Sequence, residues 1–156
     1  MVSRSARLVI IIALLALIAP LFAKADQAVP MYAVVEELNG TRCEILEIRD
    51  ALANRRFGSS IEDLKTKPAS LANRLHYVFV KHDLMQFAKT QMGREMILSD
   101  YEQATSNLRA ITRSLNRSWM VEIDLPEINP ALEVAESHLT TLIQNIGGET
   151  VACSQK

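Results

Sequence analysis

Little in this chain carries chemistry. Five glycines, five prolines, three histidines, two cysteines and one tryptophan are spread over 156 residues. The glycines stand singly or in the pair Gly147-Gly148, so no loop can wrap backbone amides around a phosphate, and neither a Walker nor a dinucleotide fingerprint occurs. G-x-S-x-G, S-x-x-K and H-E-x-x-H are also missing, which excludes the commonest hydrolase and metalloprotease signatures. Di-iron bundles place Glu three residues before His. Here Asn73, Phe79 and Ala135 occupy those places before His76, His82 and His138. No charge excess marks a polyanion binder either, since 17 basic residues face 18 acidic ones.

Long apolar runs are absent save one. Arg4 and Arg7 precede an unbroken apolar stretch from Leu8 to Leu17, followed by Pro20 and the small-residue triplet Ala23-Lys24-Ala25. Basic, apolar and small-residue regions in that order describe a secretory signal peptide, and the run is too short for a spanning helix. Cleavage is expected before Asp26. The two arginines are not adjacent and no cysteine sits at the cut, so neither a twin-arginine signal nor a lipid anchor is expected. The leader takes three basic residues and no acidic one with it, leaving a mildly acidic protein in the periplasm or outside the cell. Residues 26–156 then form a single domain of common size.

In an oxidising compartment two cysteines favour a bridge. Cys43 and Cys153 lie 110 residues apart, so the crosslink would close nearly the whole domain. That spacing excludes a C-x-x-C redox motif, a haem attachment and a thiolate zinc site.

The remaining pattern is helical. Met31, Val34, Leu38, Thr41, Ile45, Ile48 and Leu52 step by three and four, which predicts a helix from about Pro30 to Phe57 with a kink or close contact at Gly40. Ser60-Ile61-Glu62-Asp63 resembles a capping box opening a short turn. Leu71, Leu75, Val78, Leu84, Met85, Ala88 and Met92 predict a second long helix, apolar over a wide arc. A third carries Ile97, Tyr101, Ala104, Leu108, Ile111 and Leu115; Gly93 marks its junction with the second, which is either a bend in one rod or a break. Leu132, Ala135, Leu139, Leu142 and Ile146 predict a fourth, with Asn129-Pro130 as cap and first position and Gly147-Gly148 as its stop. Between Trp119 and Leu125 alternation of Val121, Ile123 and Leu125 with Glu122 and Asp124 reads as an extended strap. The expected fold is an all-α, antiparallel four-helix bundle with that strap and one disulfide.

Three constellations are candidates for function. Arg109, Arg113 and Arg117 recur every four residues on one side of the third helix, away from its apolar stripe. Residues 65–117 hold nine basic and four acidic side chains, and 118–155 six acidic and no basic ones. Either the arginines answer Glu133 and Glu136 inside the bundle, or they form a strip for an acidic protein or carboxylate ligand. His82, Met85, Met92 and Met96 share one helical stripe in this reading, with soft ligands suited to Cu(I), although methionine at helical spacing is also ordinary core. The carboxylates of the first helix alternate with Arg42 and Arg49 as a solvated face does.

These features favour a non-catalytic, protein-binding role without a cofactor, as an envelope chaperone, an immunity or inhibitor protein, or an accessory subunit. A periplasmic copper or small-ligand binder is the alternative. An exported all-helical enzyme of the chorismate mutase type is a third, although Arg42, Arg49, Arg74 and Lys81 cannot be assigned to its cationic clamp. Leu139-Thr140-Thr141-Leu142-Ile143-Gln144 is similar to the L-T-x-x-Q element of helical periplasmic stress chaperones. It has one residue too many before Gln144, and a turn and a half identifies no family.

Overall fold

The computed structural model describes residues 30–53, 61–117 and 125–153. Four helices account for almost all of them: α1 (Met31–Ala53), α2 (Ile61–Lys81), α3 (Gln91–Arg117) and α4 (Leu125–Asn145), with a 3-10 turn at Leu84–Phe87 between α2 and α3. Each helix packs on two others, in the closed order α1, α2, α3, α4 and back to α1, and among the described residues the Cα atoms of the diagonal pairs stay more than 8 Å apart. Ion pairs fix the sense of neighbours. Glu44 and Glu47 of α1 meet Arg74 and Lys67 of α2, while Arg42 and Arg49 meet Glu136 and Glu133 of α4. Rising numbers on α1 face falling numbers on both partners, which makes both pairings antiparallel. No described helix is long and apolar enough to cross a membrane.

The core is the set of stripes that helical spacing selects. Val34, Leu38, Ile45, Ile48 and Leu52 from α1, Leu71, Leu75 and Val78 from α2, Ile97, Leu108, Ile111 and Leu115 from α3, Leu132, Leu139 and Leu142 from α4, and Ile146 just after it are all buried. Each such side chain withdrawn from water is worth about 1.5–3 kcal/mol, against the entropy of ordering it. Thr41 sits in the same stripe and donates its hydroxyl to Glu37 O at 3.0 Å, so a polar residue enters the core satisfied.

Several boundaries differ from the sequence reading. The second helix stops at Lys81 instead of running on to Met92, so α2 and α3 are separate and the junction lies upstream of Gly93. Asp83 turns the chain there with φ 42°, a left-handed conformation that Asp tolerates better than most residues. Thr90 then opens α3: its Oγ1 accepts a hydrogen bond from the Gly93 amide at 3.0 Å, and its carbonyl accepts one from the Arg94 amide. Gly93 is thus a first-turn residue of α3. Of the apolar residues expected on that second helix, Leu71, Leu75, Val78 and Leu84 are buried, whereas Met92 belongs to α3 and is 71% exposed. A four-residue run such as Tyr77-Val78-Phe79-Val80 spans more than one face of a helix, and only Val78 points to the core.

Both internal prolines are spanned by single helices. Pro68 and Pro130 lie inside α2 and α4. Neither can donate to the carbonyl four residues before it, a defect of about 3 kcal/mol. Leu64, Pro68 and Leu71 are buried together, as are Ile128 and Leu132 around Pro130, so packing on both sides of each defect outweighs it. Pro130 is therefore not the helix start; α4 begins upstream at Leu125. The expected strap at 119–124 lies outside the described residues, as do residues 54–57 and Ser60, and Leu125 itself belongs to α4. Gly40 sits in α1 with open space around it, so no close helix contact explains it.

The end of α4 matches expectation in detail. The Gly147 amide donates to Gln144 O at 2.9 Å and the Gly148 amide to Ile143 O at 2.8 Å, the paired bonds of a Schellman stop, with Gly147 at φ +88°. A side chain at Gly148 would overlap Val35 of α1, so this turn also sets how closely α4 approaches α1. Beyond it the tail returns along α1. Asn39 Nδ2 donates to Glu149 O at 3.0 Å, Asn39 Oδ1 accepts from the Val151 amide at 3.1 Å, and Arg42 donates to Val151 O at 3.1 Å. Cys43 closes the series through a disulfide to Cys153, their Cα atoms 5.4 Å apart. Asn39, Arg42 and Cys43 are one turn of a single face.

Candidate functional site

The acidic α4 is used on the side of the bundle opposite to the one its charge suggested. Arg42 Nε donates to Glu136 Oε1 at 2.6 Å and to Thr140 Oγ1 at 3.1 Å, and Thr140 donates in turn to Glu136 at 3.2 Å. Both partners of the ion pair are mostly buried, at 16% and 20% side-chain exposure, which makes this a structural pair and not a surface encounter. Glu133 lies 3.9 Å from Arg49. One of the two expected alternatives had these two glutamates answering the arginines of α3. They answer α1 instead, because α4 packs between α1 and α3 and these two side chains leave on the α1 side.

Arg109, Arg113 and Arg117 are exposed on α3 and form no ion pair among the described residues. Arg109 and Arg113 border one surface recess of about 370 Å³ with Tyr101, Glu102, Thr105 and Ser106. Tyr101 forms a firm wall: its ring stacks on Phe79 of α2 with centroids 3.9 Å apart, and its hydroxyl meets His76 Nδ1 at 2.6 Å. Thr105 is only 5% exposed, yet its Oγ1 has no hydrogen-bond partner. Thr41, Thr112 and Thr141 each donate to the carbonyl four residues earlier in their own helices, and Thr105 does not. The arrangement offers guanidinium donors and hydroxyls to an anion. The hydroxyl–base pair at its edge is Tyr101 with His76, and Glu102 is the single carboxylate on its border.

The arginines weighed for an enzyme clamp are engaged within the chain. Arg42 and Arg49 face Glu136 and Glu133, Arg74 donates to Glu44 at 2.7 Å, and the ammonium of Lys81 sits 5.0 Å from the Tyr77 ring centre.

His82, Met85, Met92 and Met96 do not share a stripe. His82 follows the end of α2, Met85 lies in the 3-10 turn, and Met92 and Met96 are in α3, so the break at Asp83 removes the common helical phase. His82 is 3% exposed with neither ring nitrogen hydrogen-bonded, its Nε2 3.6 Å from Glu37 of α1, whereas Met92 and Met96 are exposed. Among the described residues no group of three or more His, Cys, Asp or Glu side chains is placed to hold a metal.

Sequence reasoning missed two polar groupings. Asp100, buried between Ile97 and Ala104, accepts from His138 Nδ1 at 2.8 Å and from Asn145 Nδ2 at 2.8 Å, tying α3 to the last turns of α4. His138 therefore does not leave that nitrogen to water. A carboxylate one turn from two core positions was the available signal. The other is Thr105, a hydroxyl beside Ala104 on the edge of the same apolar stripe, unremarkable until its lack of a partner is seen.

No protein-family model, curated protein or solved structure matches the chain.

Proposed function

We propose that this is an exported, non-catalytic binding module whose α3 arginine strip contacts an acidic protein partner. The leader pattern at residues 1–25 supports export, and a Cys43–Cys153 disulfide is compatible with an oxidising compartment. One observation carries the binding reading. Arg109, Arg113 and Arg117 stay exposed and unpaired among the described residues, while the carboxylates of α4 that could have neutralised them pair with α1. Unpaired like charges on one helix repel, each neighbouring pair costing a few tenths of a kcal/mol, and an opposing acidic surface removes that cost and steers association.

Photo-crosslinking in the native compartment tests this. A photoreactive residue replacing Arg113 should yield a protein adduct that one replacing the exposed Gln144 does not, and Arg109→Glu in the same chain should abolish it. Equal labelling from both positions, or an adduct indifferent to Arg109→Glu, contradicts the reading.

A further inference from the structure

Resting on that reading, the geometry points to the form of the partner: we infer that the strip docks an acidic α-helix of another protein, with carboxylates one turn apart and α3 crossed at about −50°. The three arginines lie on successive turns, each step of four residues rising about 6 Å along the axis. Arg109 and Arg113 border one recess and Arg117 does not, so a single small anion seated there leaves the third arginine unmet. A linear ligand with the same repeat meets them all. Rows of residues four apart incline to the axis of any α-helix by about 26°, so two helices whose rows run together cross at about twice that angle. An extended acidic strand, with its side chains on one face about 7 Å apart, matches the spacing less well, by about 2 Å over three arginines.

Thr105 supplies the second observation. Its buried Oγ1 lacks a partner and the residue borders the recess beside Arg109 and Arg113. A carboxylate entering next to Arg109 gives that covered hydroxyl an acceptor once the Thr105 side chain turns toward the recess, and the stacked Tyr101 ring bounds the position. Glu102 borders the same recess at its other end and repels an acidic side chain there. From Glu102 to Arg117 α3 carries one acid followed by three bases, which sets the order of charges on the partner helix: a basic residue opposite Glu102 and acidic residues opposite the arginines.

The test uses the oxidised full chain and two helix-stabilised synthetic peptides of identical composition. One carries Lys near one end and three Glu spaced four apart; the other has the same residues distributed around the helix. Citrate and inorganic phosphate serve as small-anion probes. The ordered peptide should bind about ten-fold more tightly than the redistributed one in low salt and weaken as salt rises. Arg113→Glu should remove that preference and a peptide with Lys replacing the middle Glu should restore binding to the variant. Thr105→Val should weaken the ordered peptide several-fold without moving its salt dependence, which distinguishes a contact from a general loss of charge. Equal affinity for both peptides, or citrate competing as well as the ordered peptide, overturns the inference. If neither peptide binds while position 113 still crosslinks in the native compartment, the helical partner is wrong and the broader reading stands; if both fail, both are wrong.

Discussion

A single side-chain amide, that of Asn39, pairs with the tail on both of its faces, donating to Glu149 O and accepting from the Val151 amide. It imitates one residue of a strand edge inside an all-helical protein, and it makes the last segment part of the bundle. Its neighbour Gly40 has the opposite character. With nothing within contact distance of where a Cβ would sit and no unusual backbone angle, Gly40 contributes only conformational freedom to the unfolded chain. Gly40→Ala is therefore expected to stabilise the fold by about 0.5–1 kcal/mol, read as a rise in denaturant midpoint at unchanged slope. The sequence showed that a glycine interrupts α1 but not why, since a tight helix contact and an idle exposed position look alike until the neighbours are known. Asn39 was equally silent, because its partners lie 110 and 112 residues away.

At the scale of elements, four apolar stripes at spacings of three and four identified four helices, and the glycine pair after α4 forms the stop its composition announced. Ends governed by single polar residues were harder to read. Asp83 and Thr90 break the α2–α3 rod, yet both belong to a segment whose apolar residues continue the helical period through Met92. Pro68 and Pro130 mislead in the other direction, since each looks like a boundary and each is bridged by packing on both sides. Thr90→Ala should cost about 1 kcal/mol by leaving the Gly93 amide without its cap, with loss of hydrogen-exchange protection confined to the first turn of α3. A uniform loss across the bundle would mean that the turn, and not the cap, was disturbed. The candidate site was legible in part: the arginine row follows from its four-residue repeat, whereas the unpartnered Thr105 and the Tyr101–Phe79 wall depend on how α2 and α3 meet.

For the whole molecule, the disulfide closes a loop of 110 residues and joins the middle of α1 to the tail after α4. The chain-entropy treatment puts such a bridge near 4.7 kcal/mol, with about 2–4 kcal/mol usual in practice. Reduction should lower the denaturant midpoint by an equivalent amount and speed exchange of the Val151 amide first, because only its hydrogen bonds to Asn39 and Arg42 then hold that residue. An unchanged midpoint would show that the tail adds no constraint.

The distribution of charge is the central claim about the molecule: Glu133 and Glu136 of α4 pair with α1 and leave the arginines of α3 open among the described residues. Double-mutant cycles of equilibrium unfolding compare the two allocations directly, pairing Glu136 first with Arg42 and then with Arg113, and Glu133 with Arg113. The account predicts a coupling of about 1–3 kcal/mol between Arg42 and Glu136, as befits a short charge-assisted bond with limited exposure, and none beyond about 0.3 kcal/mol for Arg113 with either glutamate. Coupling between Arg113 and Glu133 or Glu136 comparable to that of Arg42 would contradict it, and the strip would be part of the bundle's own charge balance.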